Sequence, residues 1–200
     1  MYSFAARFLK IFLSLFGRID VYGKEHLPQS GGYVIACTHT GWVDILWLGI
    51  SVFPTKIHFM AKKELFQTRF TKWLMTELNA FPVNRENPGP STLKIPRKLL
   101  KEGKVVGIFP SGTRTTEDVP LKKGAVTIAN LANVPIVPAA YVGPNNFKEL
   151  LKRKKPVLIF GEPIMIDQQL PKKEKIDRML HILEKEMTSL QTGFKSKVKK

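Results

Sequence analysis

Strand-like and helix-like segments alternate along almost the whole chain, and this alternation restricts the fold more than any other feature. Short apolar runs such as 33–37 (YVIAC) and 104–109 (KVVGIF) predict buried strands, and helical apolar spacing lies between such runs. Further strands are expected within 18–23, 56–61, 80–83, 135–142 and 155–164, and helices within 44–53, 63–78, 91–103, 122–134 and 172–191. This order predicts an α/β domain with a single mixed, largely parallel sheet flanked by helices.

The charge balance indicates an anionic partner. The 200 residues are enough for one domain, and a hydrophobic fraction of 44% is enough for a core. Lys and Arg number 32 against 16 Asp and Glu, which gives a formal net charge of +16. Nucleic acid, anionic lipid and an acidic protein all remain open on charge alone, as does a solvated basic surface. The cations are spread along the chain and no RNA-recognition or helix-turn-helix pattern is present, so a basic nucleic-acid-binding domain is a remote alternative.

The first 17 residues predict an amphipathic helix at a membrane interface. Its longest charge-free run, 11–17, is far shorter than the roughly 20 apolar residues that a membrane span requires. Wound as a helix, the segment has one narrow polar stripe and an otherwise apolar surface; the stripe consists of Ser3, Arg7, Lys10 and Ser14. A helix packed on the core of the domain is the alternative. We therefore divide the chain into an interfacial helix, 1–17, and a globular domain, 18–200.

A histidine and an aspartate follow the strand 33–37. His39 is expected in the loop after this strand and Asp44 in the first turn of the next helix, where the two side chains can meet. The aspartate can then accept a hydrogen bond from one imidazole nitrogen and leave the other as a base. A structural histidine paired with an aspartate is the alternative.

Two other strand ends carry groups suited to an anion. The strand 104–109 is followed by Ser111, Gly112, Thr113 and Arg114, which offer hydroxyls, bare backbone amides and a guanidinium. The strand 80–83 delivers Arg85 in the same way. An ordinary turn with a surface arginine is the alternative. The strand within 135–142 contains two prolines, so we expect it near an edge of the sheet or a loop.

The remaining reactive side chains are expected to be structural. Cys37, the single cysteine, ends a buried run and is predicted to be a small core residue, and one cysteine excludes an internal disulfide. His26, His58 and His181 have no evident partner in the sequence. Neither paired cysteines nor a zinc-binding histidine pattern is present, and we predict no metal and no cofactor.

Four blocks in a fixed order give the sequence a family resemblance. They are His39 with Asp44, FPVNR at 81–85, FPSGTR at 109–114 and VPIVP at 134–138. This order resembles the glycerolipid acyltransferases, and most of all the small bacterial 1-acylglycerol-3-phosphate (lysophosphatidic acid) acyltransferases. The third block usually contains Glu where Ser111 stands here. Thr38 and Gly41 replace an Asn and a Ser of the first block, and we expect neither to touch the His39–Asp44 pair.

The resemblance implies a reaction as well as a fold. An acyl chain would pass from an acyl carrier protein or coenzyme A thioester to the sn-2 hydroxyl of lysophosphatidic acid, with His39 as the general base and Asp44 orienting it. Arg114, with Ser111, Gly112 and Thr113, would bind the substrate phosphate, and Arg85 would add a second cation. Anionic membrane lipids would be a further partner, and the protein would lie peripherally or monotopically at the cytoplasmic face of the cell membrane. The alternatives are acylation of glycerol-3-phosphate or of another lysophospholipid, and a catalytically silent lipid-binding protein.

Overall fold

The computed structural model describes residues 13, 18–84, 89–112, 114, 119–152, 155–166 and 169–198. Within them, seven strands form one sheet: β1 (Asp20–Tyr22), β2 (Tyr33–Cys37), β3 (Ile57–Lys62), β4 (Phe81–Val83), β5 (Val105–Ile108), β6 (Ile136–Val142) and β7 (Val157–Phe160). The α-helices are α1 (Val43–Ser51), α2 (Arg69–Glu77), α3 (Ser91–Lys101), α4 (Gly124–Ala132), α5 (Phe147–Leu151) and α6 (Lys172–Val198). Two 3-10 helices span Lys24–His26 and Lys63–Phe66.

The sheet is mixed and mostly parallel, as predicted. Its strand order is β1-β7-β6-β2-β5-β3-β4. Neighbouring strands are parallel throughout, except that β6 and β7 are antiparallel. The carboxyl ends of β2 to β6 therefore lie at one edge of the sheet, which we call the carboxyl edge. Loops at this edge are where ligands bind in sheets of this kind.

Both faces of the sheet are covered, because the central strands are apolar on both sides. In β2 every residue is buried, and successive side chains point to opposite faces. Tyr33, Ile35 and Cys37 belong to a core shared with α1 and α5, whereas Val34 and Ala36 belong to a second core shared with α3, α4 and α6. Burial on both faces explains why β2 has no polar residue until the chain leaves the sheet.

Strand β6 is central, so its expected place near an edge was wrong. It pairs with β2 on one side and with β7 on the other. On the β2 side, the carbonyl groups of residues 135 and 139 accept backbone N–H groups of residues 34 and 38. The carbonyl group of Pro138 points the other way, towards β7, and accepts the N–H of Gly161 at 2.8 Å. At this point β7 has already ended, at Phe160. Pairing with β6 resumes only at Ile164, which bridges to Ile136. The missing proline N–H thus falls where the neighbouring strand is interrupted.

The segment expected to form one helix over 63–78 is divided in two. The 3-10 helix Lys63–Phe66 comes first, and α2 begins only after Thr68, whose hydroxyl caps it by accepting the N–H of Thr71 at 3.1 Å. A threonine that bonds the third following amide ends one helix and starts the next. Helix α6 is longer than the predicted 172–191 and continues to Val198.

The predicted interfacial helix, 1–17, lies outside the described residues except for Leu13. That residue is helical and buried in the core that α1 shares with the sheet. Within the described ranges, no helix combines the length and the apolar character that crossing a bilayer requires.

Candidate active site

His39 and Asp44 meet at the carboxyl edge, in the arrangement predicted from the sequence. His39 lies in the loop that leaves β2, and Asp44 is in the first turn of α1. Nδ1 of His39 is 3.3 Å from Oδ1 and 3.2 Å from Oδ2 of Asp44. Only 6% of His39 and none of Asp44 is exposed. The pair is therefore shielded from bulk water, where its hydrogen bond would be weaker.

The Asp44 carboxylate is held by the loop that it follows. The backbone N–H of Thr40 donates to Oδ2 at 2.7 Å, and that of Gly41 donates to the same atom at 3.0 Å. The expectation that Gly41 would not touch the pair was thus wrong, because its backbone makes the contact although it has no side chain. With these donors the buried carboxylate is hydrogen-bonded rather than left unpaired.

The geometry fixes which nitrogen of His39 is available as a base. A carboxylate only accepts hydrogen bonds, so Nδ1 must donate and Nε2 keeps its lone pair. The imidazole ring also stacks on Phe109, with ring centroids 4.3 Å apart and planes inclined by 27°. Phe109 follows β5 directly, so the loops after β2 and β5 together set the orientation of the ring. His39 is consequently positioned to accept a proton at Nε2.

A pocket of about 390 Å³ opens beside His39. The pocket is lined by the loop after β2, by Ser111 of the FPSGTR loop, by the segment 119–121 and by α6. The residues from α6 are Glu184, Met187, Thr188 and Gln191. The structure thus brings Ser111 next to the His39–Asp44 pair, although the two lie in different loops.

Gly112 has the backbone conformation that its place in the loop requires. Its φ of +72° lies in the left-handed region, where a side chain is strained. A Cβ atom there would lie 2.8 Å from Nζ of Lys122, so the ammonium group packs directly against the bare backbone. The N–H of Lys122 also donates to the carbonyl of Pro110 at 2.8 Å. Lys122 therefore places a cation against the FPSGTR loop.

Sequence reasoning missed Lys122 because it assigned the KKG stretch only to the start of a helix. The neighbouring Lys123 differs in its surroundings, since its ammonium pairs with Asp177 of α6 at 2.5 Å. Glu184 was missed too: its Oε1 accepts the N–H of Leu121 at 3.1 Å, which ties α6 to the residue before Lys122. For the packing of Lys122 on Gly112, the sequence signal was the pair of lysines that precedes α4.

The other predicted anion ligands are placed less completely. Arg114 is exposed to solvent, two residues after Gly112. Arg85 and Thr113 lie outside the described residues. Their predicted roles stay predictions.

Two substitutions relative to the family pattern are explained by packing. A Cβ atom on Gly41 would lie 1.9 Å from the carbonyl oxygen of Asn145, so this site has no room for a serine. The hydroxyl of Thr38 accepts the N–H of Tyr141 at 2.9 Å and joins the loop to β6. Both residues support the loop that carries His39.

Cys37 is a core residue, as predicted. It is fully buried, and burial raises the pKa of its thiol well above the usual value, with the nearby Asp44 charge acting in the same direction. The thiol is therefore protonated at neutral pH and is not a ready nucleophile. His39 remains the predicted base of the pocket.

Two of the remaining histidines have structural partners. Nδ1 of His26 lies 3.0 Å from the carbonyl oxygen of Phe160, and its Nε2 lies 3.0 Å from Glu162. Nδ1 of His58 is 3.2 Å from the carbonyl oxygen of Val105. The third, His181, is exposed on α6.

The buried His39–Asp44 pair beside a pocket at the carboxyl edge of a mostly parallel sheet is the arrangement that the resemblance to acyltransferases implies. Residues 18–142 match the family model described as Acyltransferase, so the chain belongs to this family. The resemblance inferred from the four blocks is confirmed.

Several relatives have the same printed name. The chain is 55% identical, over 96% of its own length and 97% of the relative, to the 1-acyl-sn-glycerol-3-phosphate acyltransferase of Bacillus subtilis. It is 37% identical to the enzyme of that name from Streptococcus pneumoniae, over 76% of this chain and 58% of the other. The crystal structure of the 1-acyl-sn-glycerophosphate acyltransferase from Thermotoga maritima has the same fold, with a TM-score of 0.70 at 21% identity over 95% of this chain and 81% of that one.

Proposed function

We propose that the protein transfers an acyl chain from a thioester to the sn-2 hydroxyl of 1-acyl-glycerol-3-phosphate and so forms phosphatidic acid. The observation that carries this proposal is the buried His39–Asp44 pair beside a pocket that Ser111 also lines. The curated relatives in Bacillus and Streptococcus are named for the same acceptor.

In the proposed reaction His39 acts as a general base. Its Nε2 removes the proton of the sn-2 hydroxyl as the oxygen attacks the thioester carbonyl carbon. The tetrahedral intermediate then collapses, the C–S bond breaks, and the proton passes from His39 to the departing thiolate. Asp44 holds the tautomer and stabilises the imidazolium. General base catalysis of this kind contributes about 10²–10⁴-fold to the rate. The protein forms no covalent intermediate and uses no metal or other cofactor.

The acceptor phosphate binds at the FPSGTR loop in this proposal. Ser111 and Arg114 come from the loop, and Lys122 supplies an ammonium group against Gly112. Gly112 leaves room for the phosphate by having no side chain, since its own N–H donates to the carbonyl of Phe109 at 3.0 Å. Arg85 and Thr113 join them on the sequence argument. An ammonium or guanidinium together with a hydroxyl is a common set of ligands for a phosphate.

The net charge of +16 suits the two other partners. The acyl donor is an acyl carrier protein or coenzyme A thioester, both of which are anionic, and the acceptor lies in a membrane with anionic lipids. The protein would therefore be a peripheral or monotopic enzyme of phospholipid biosynthesis, with residues 1–17 at the interface of the cytoplasmic face. A single buried cysteine agrees with a reducing compartment.

One assay tests the reaction. Purified protein is incubated with lysophosphatidic acid and labelled acyl thioester, in both carrier-protein and coenzyme A forms, and the lipids are separated by thin-layer chromatography. We expect labelled phosphatidic acid from the wild type and from the matched control His181→Ala, and none from His39→Ala.

The outcomes separate the parts of the proposal. Equal product from His39→Ala would remove this histidine from the mechanism. No product from any protein would reject the acceptor, and a glycerol-3-phosphate arm would then test the alternative acylation. The preferred thioester identifies the donor.

A further inference from the structure

The crossover between β3 and β4, residues 63–80, leaves large apolar side chains in water. None of the residues of α2 is buried. Phe70 is 68% exposed, Trp73 is 49% exposed, and Leu65 of the preceding 3-10 helix is 46% exposed. Single exposed apolar residues are common, but a cluster of this kind marks an interaction site.

The two aromatic rings form one continuous patch. Phe70 and Trp73 lie one turn apart on α2, and their ring centroids are 6.1 Å apart with planes inclined by 39°. The Thr68 cap fixes the first turn of the helix, so the patch is part of an ordered element. The side chains are thus presented together on the surface of the protein.

Basic residues adjoin the residues of the patch in the sequence. Lys63, Arg69 and Lys72 are exposed, whereas the acidic residues of the crossover are Glu64 and Glu77, the latter at the end of α2. Aromatic rings beside lysine and arginine suit the boundary between headgroups and acyl chains, because the rings enter the apolar layer while the cations meet anionic headgroups. A symmetric contact with a second copy would bring these cations together, which is unfavourable. The charge therefore favours an anionic bilayer.

Both ends of the crossover lie at the edge of the sheet that carries His39. The crossover starts after Lys62, at the carboxyl end of β3, and it returns at Phe81, which pairs with Met60. The crossover therefore returns only two residues back along β3, so that it both begins and ends near the carboxyl edge. Trp42, in the His39 loop at this edge, is also 41% exposed.

We propose that the crossover patch, defined as Leu65, Phe70 and Trp73 with Lys63, Arg69 and Lys72, is a membrane-docking surface distinct from residues 1–17. It binds the surface of an anionic bilayer and holds the carboxyl edge, with its pocket, against the lipid. The inference rests on the proposed function in one respect: it explains how a lipid acceptor reaches His39.

Vesicle binding by the full-length chain tests the surface. Sedimentation with vesicles of equal parts phosphatidylglycerol and phosphatidylcholine is compared for the wild type and Phe70→Ser/Trp73→Ser. Met165→Ser is the apolar control, because Met165 is 71% exposed and follows Ile164, which bridges to Ile136 at the opposite edge of the sheet. We expect the double variant to bind about tenfold more weakly and the control to bind as the wild type does.

A second double variant tests the electrostatic part of the binding. It also keeps the surface testable if the aromatic variant misfolds. Arg69→Gln/Lys72→Gln should weaken binding to these vesicles and leave binding to pure phosphatidylcholine unchanged. Lys98→Gln/Lys101→Gln makes the same charge change at the end of α3, away from the patch, and should have a smaller effect.

The outcomes distinguish this surface from the proposed reaction. Acylation of a short-chain lysophosphatidic acid dissolved as monomers should be unchanged in both patch variants, whereas acylation of vesicle-held acceptor should fall. Wild-type binding by both variants would overturn the surface even if the enzyme is active. A change of oligomeric mass in light scattering with unchanged vesicle binding would instead assign the patch to self-association. A wild-type protein inactive on every acceptor would reject the reaction, while the vesicle measurement would still decide on the surface.

Discussion

Glu184 of α6 accepts the backbone N–H of Leu121 at 3.1 Å, and this bond joins the last helix to the pocket beside His39. Leu121 precedes Lys122, whose ammonium packs against the backbone of Gly112. The carboxylate is therefore linked to the FPSGTR loop through Leu121 and Lys122. We therefore predict a positioning role for Glu184, because its carboxylate binds the backbone of Leu121.

Replacing Glu184 should affect acceptor binding more than the chemical step. Glu184→Ala removes the acceptor for the Leu121 amide, at a cost of about 1–3 kcal/mol if that amide stays buried, and lets the segment before α4 move. We expect a raised KM for lysophosphatidic acid with a smaller change in kcat. Glu184→Gln keeps an oxygen acceptor and should restore most of the KM, which steady-state kinetics of the two variants will measure. If Glu184→Ala and Glu184→Gln raise KM equally, the charge of Glu184 matters rather than its hydrogen bond to Leu121.

Lys122 and Lys123 form a matched pair of variants. Lys122→Gln removes the cation beside Gly112 and should weaken acceptor binding by about 1.5–3 kcal/mol, the range for hydrogen bonds to charged groups, with kcat little changed. Lys123→Gln removes an equal charge from a solvent-exposed ion pair with Asp177 and should leave KM near the wild-type value. The comparison is made by varying the acceptor at a saturating concentration of thioester. Similar KM values for both variants would exclude a phosphate contact at Lys122.

The Asp44 carboxylate should affect kcat rather than KM. In Asp44→Asn an amide N–H can donate to Nδ1 of His39, which leaves the proton on Nε2 and removes the base. We expect kcat to fall by about 10²–10⁴, as for loss of a general base. His39→Ala should cost a similar factor, and the double variant little more, because the two residues act as a unit. Asp177→Asn, in the exposed ion pair, is the control. Additive losses in the double variant would show that the two residues act independently.

The local parts of this site were predictable, and the long-range parts were not. His39 and Asp44 are five residues apart across a strand end and a helix start, so the pattern of the sequence placed them together. Glu184 and Leu121 are 63 residues apart, and no periodicity relates them. Pro138 misled the assignment of β6, because the sequence does not reveal that β7 is interrupted opposite it. The exposed face of α2 was hidden in the same way, since helical spacing does not say whether anything covers the apolar residues.

Gly41 tests the packing of the His39 loop. Gly41→Ala places a Cβ atom 1.9 Å from the Asn145 carbonyl oxygen, which is backbone and cannot rotate away. We expect destabilisation of about 1–3 kcal/mol, as for overpacking, together with loss of activity as the amide that holds Asp44 shifts. In Gly193→Ala the new Cβ meets nothing within 4 Å on α6, and the substitution should stabilise by about 0.5–1 kcal/mol. Denaturant unfolding measures the free energy of unfolding of both variants, which should fall in Gly41→Ala and rise in Gly193→Ala. A stable and active Gly41→Ala protein would contradict the close contact.

His58 should make stability depend on pH below neutrality. Burial lowers the pKa of His58, while its Nδ1 is within hydrogen-bonding distance of the carbonyl oxygen of Val105. The unfolded chain then binds a proton more readily than the folded protein, so this contribution to stability is complete above the unfolded pKa of about 6.5 and is lost as the pH falls towards the folded pKa. His58→Asn keeps an N–H donor and cannot titrate, and its Tm should fall less than that of the wild type between about pH 7.5 and pH 5. His181→Asn, on the exposed side of α6, is the control for a generic histidine. An unchanged pH dependence in His58→Asn would mean that other groups, and not this buried imidazole, determine the acid sensitivity of the fold.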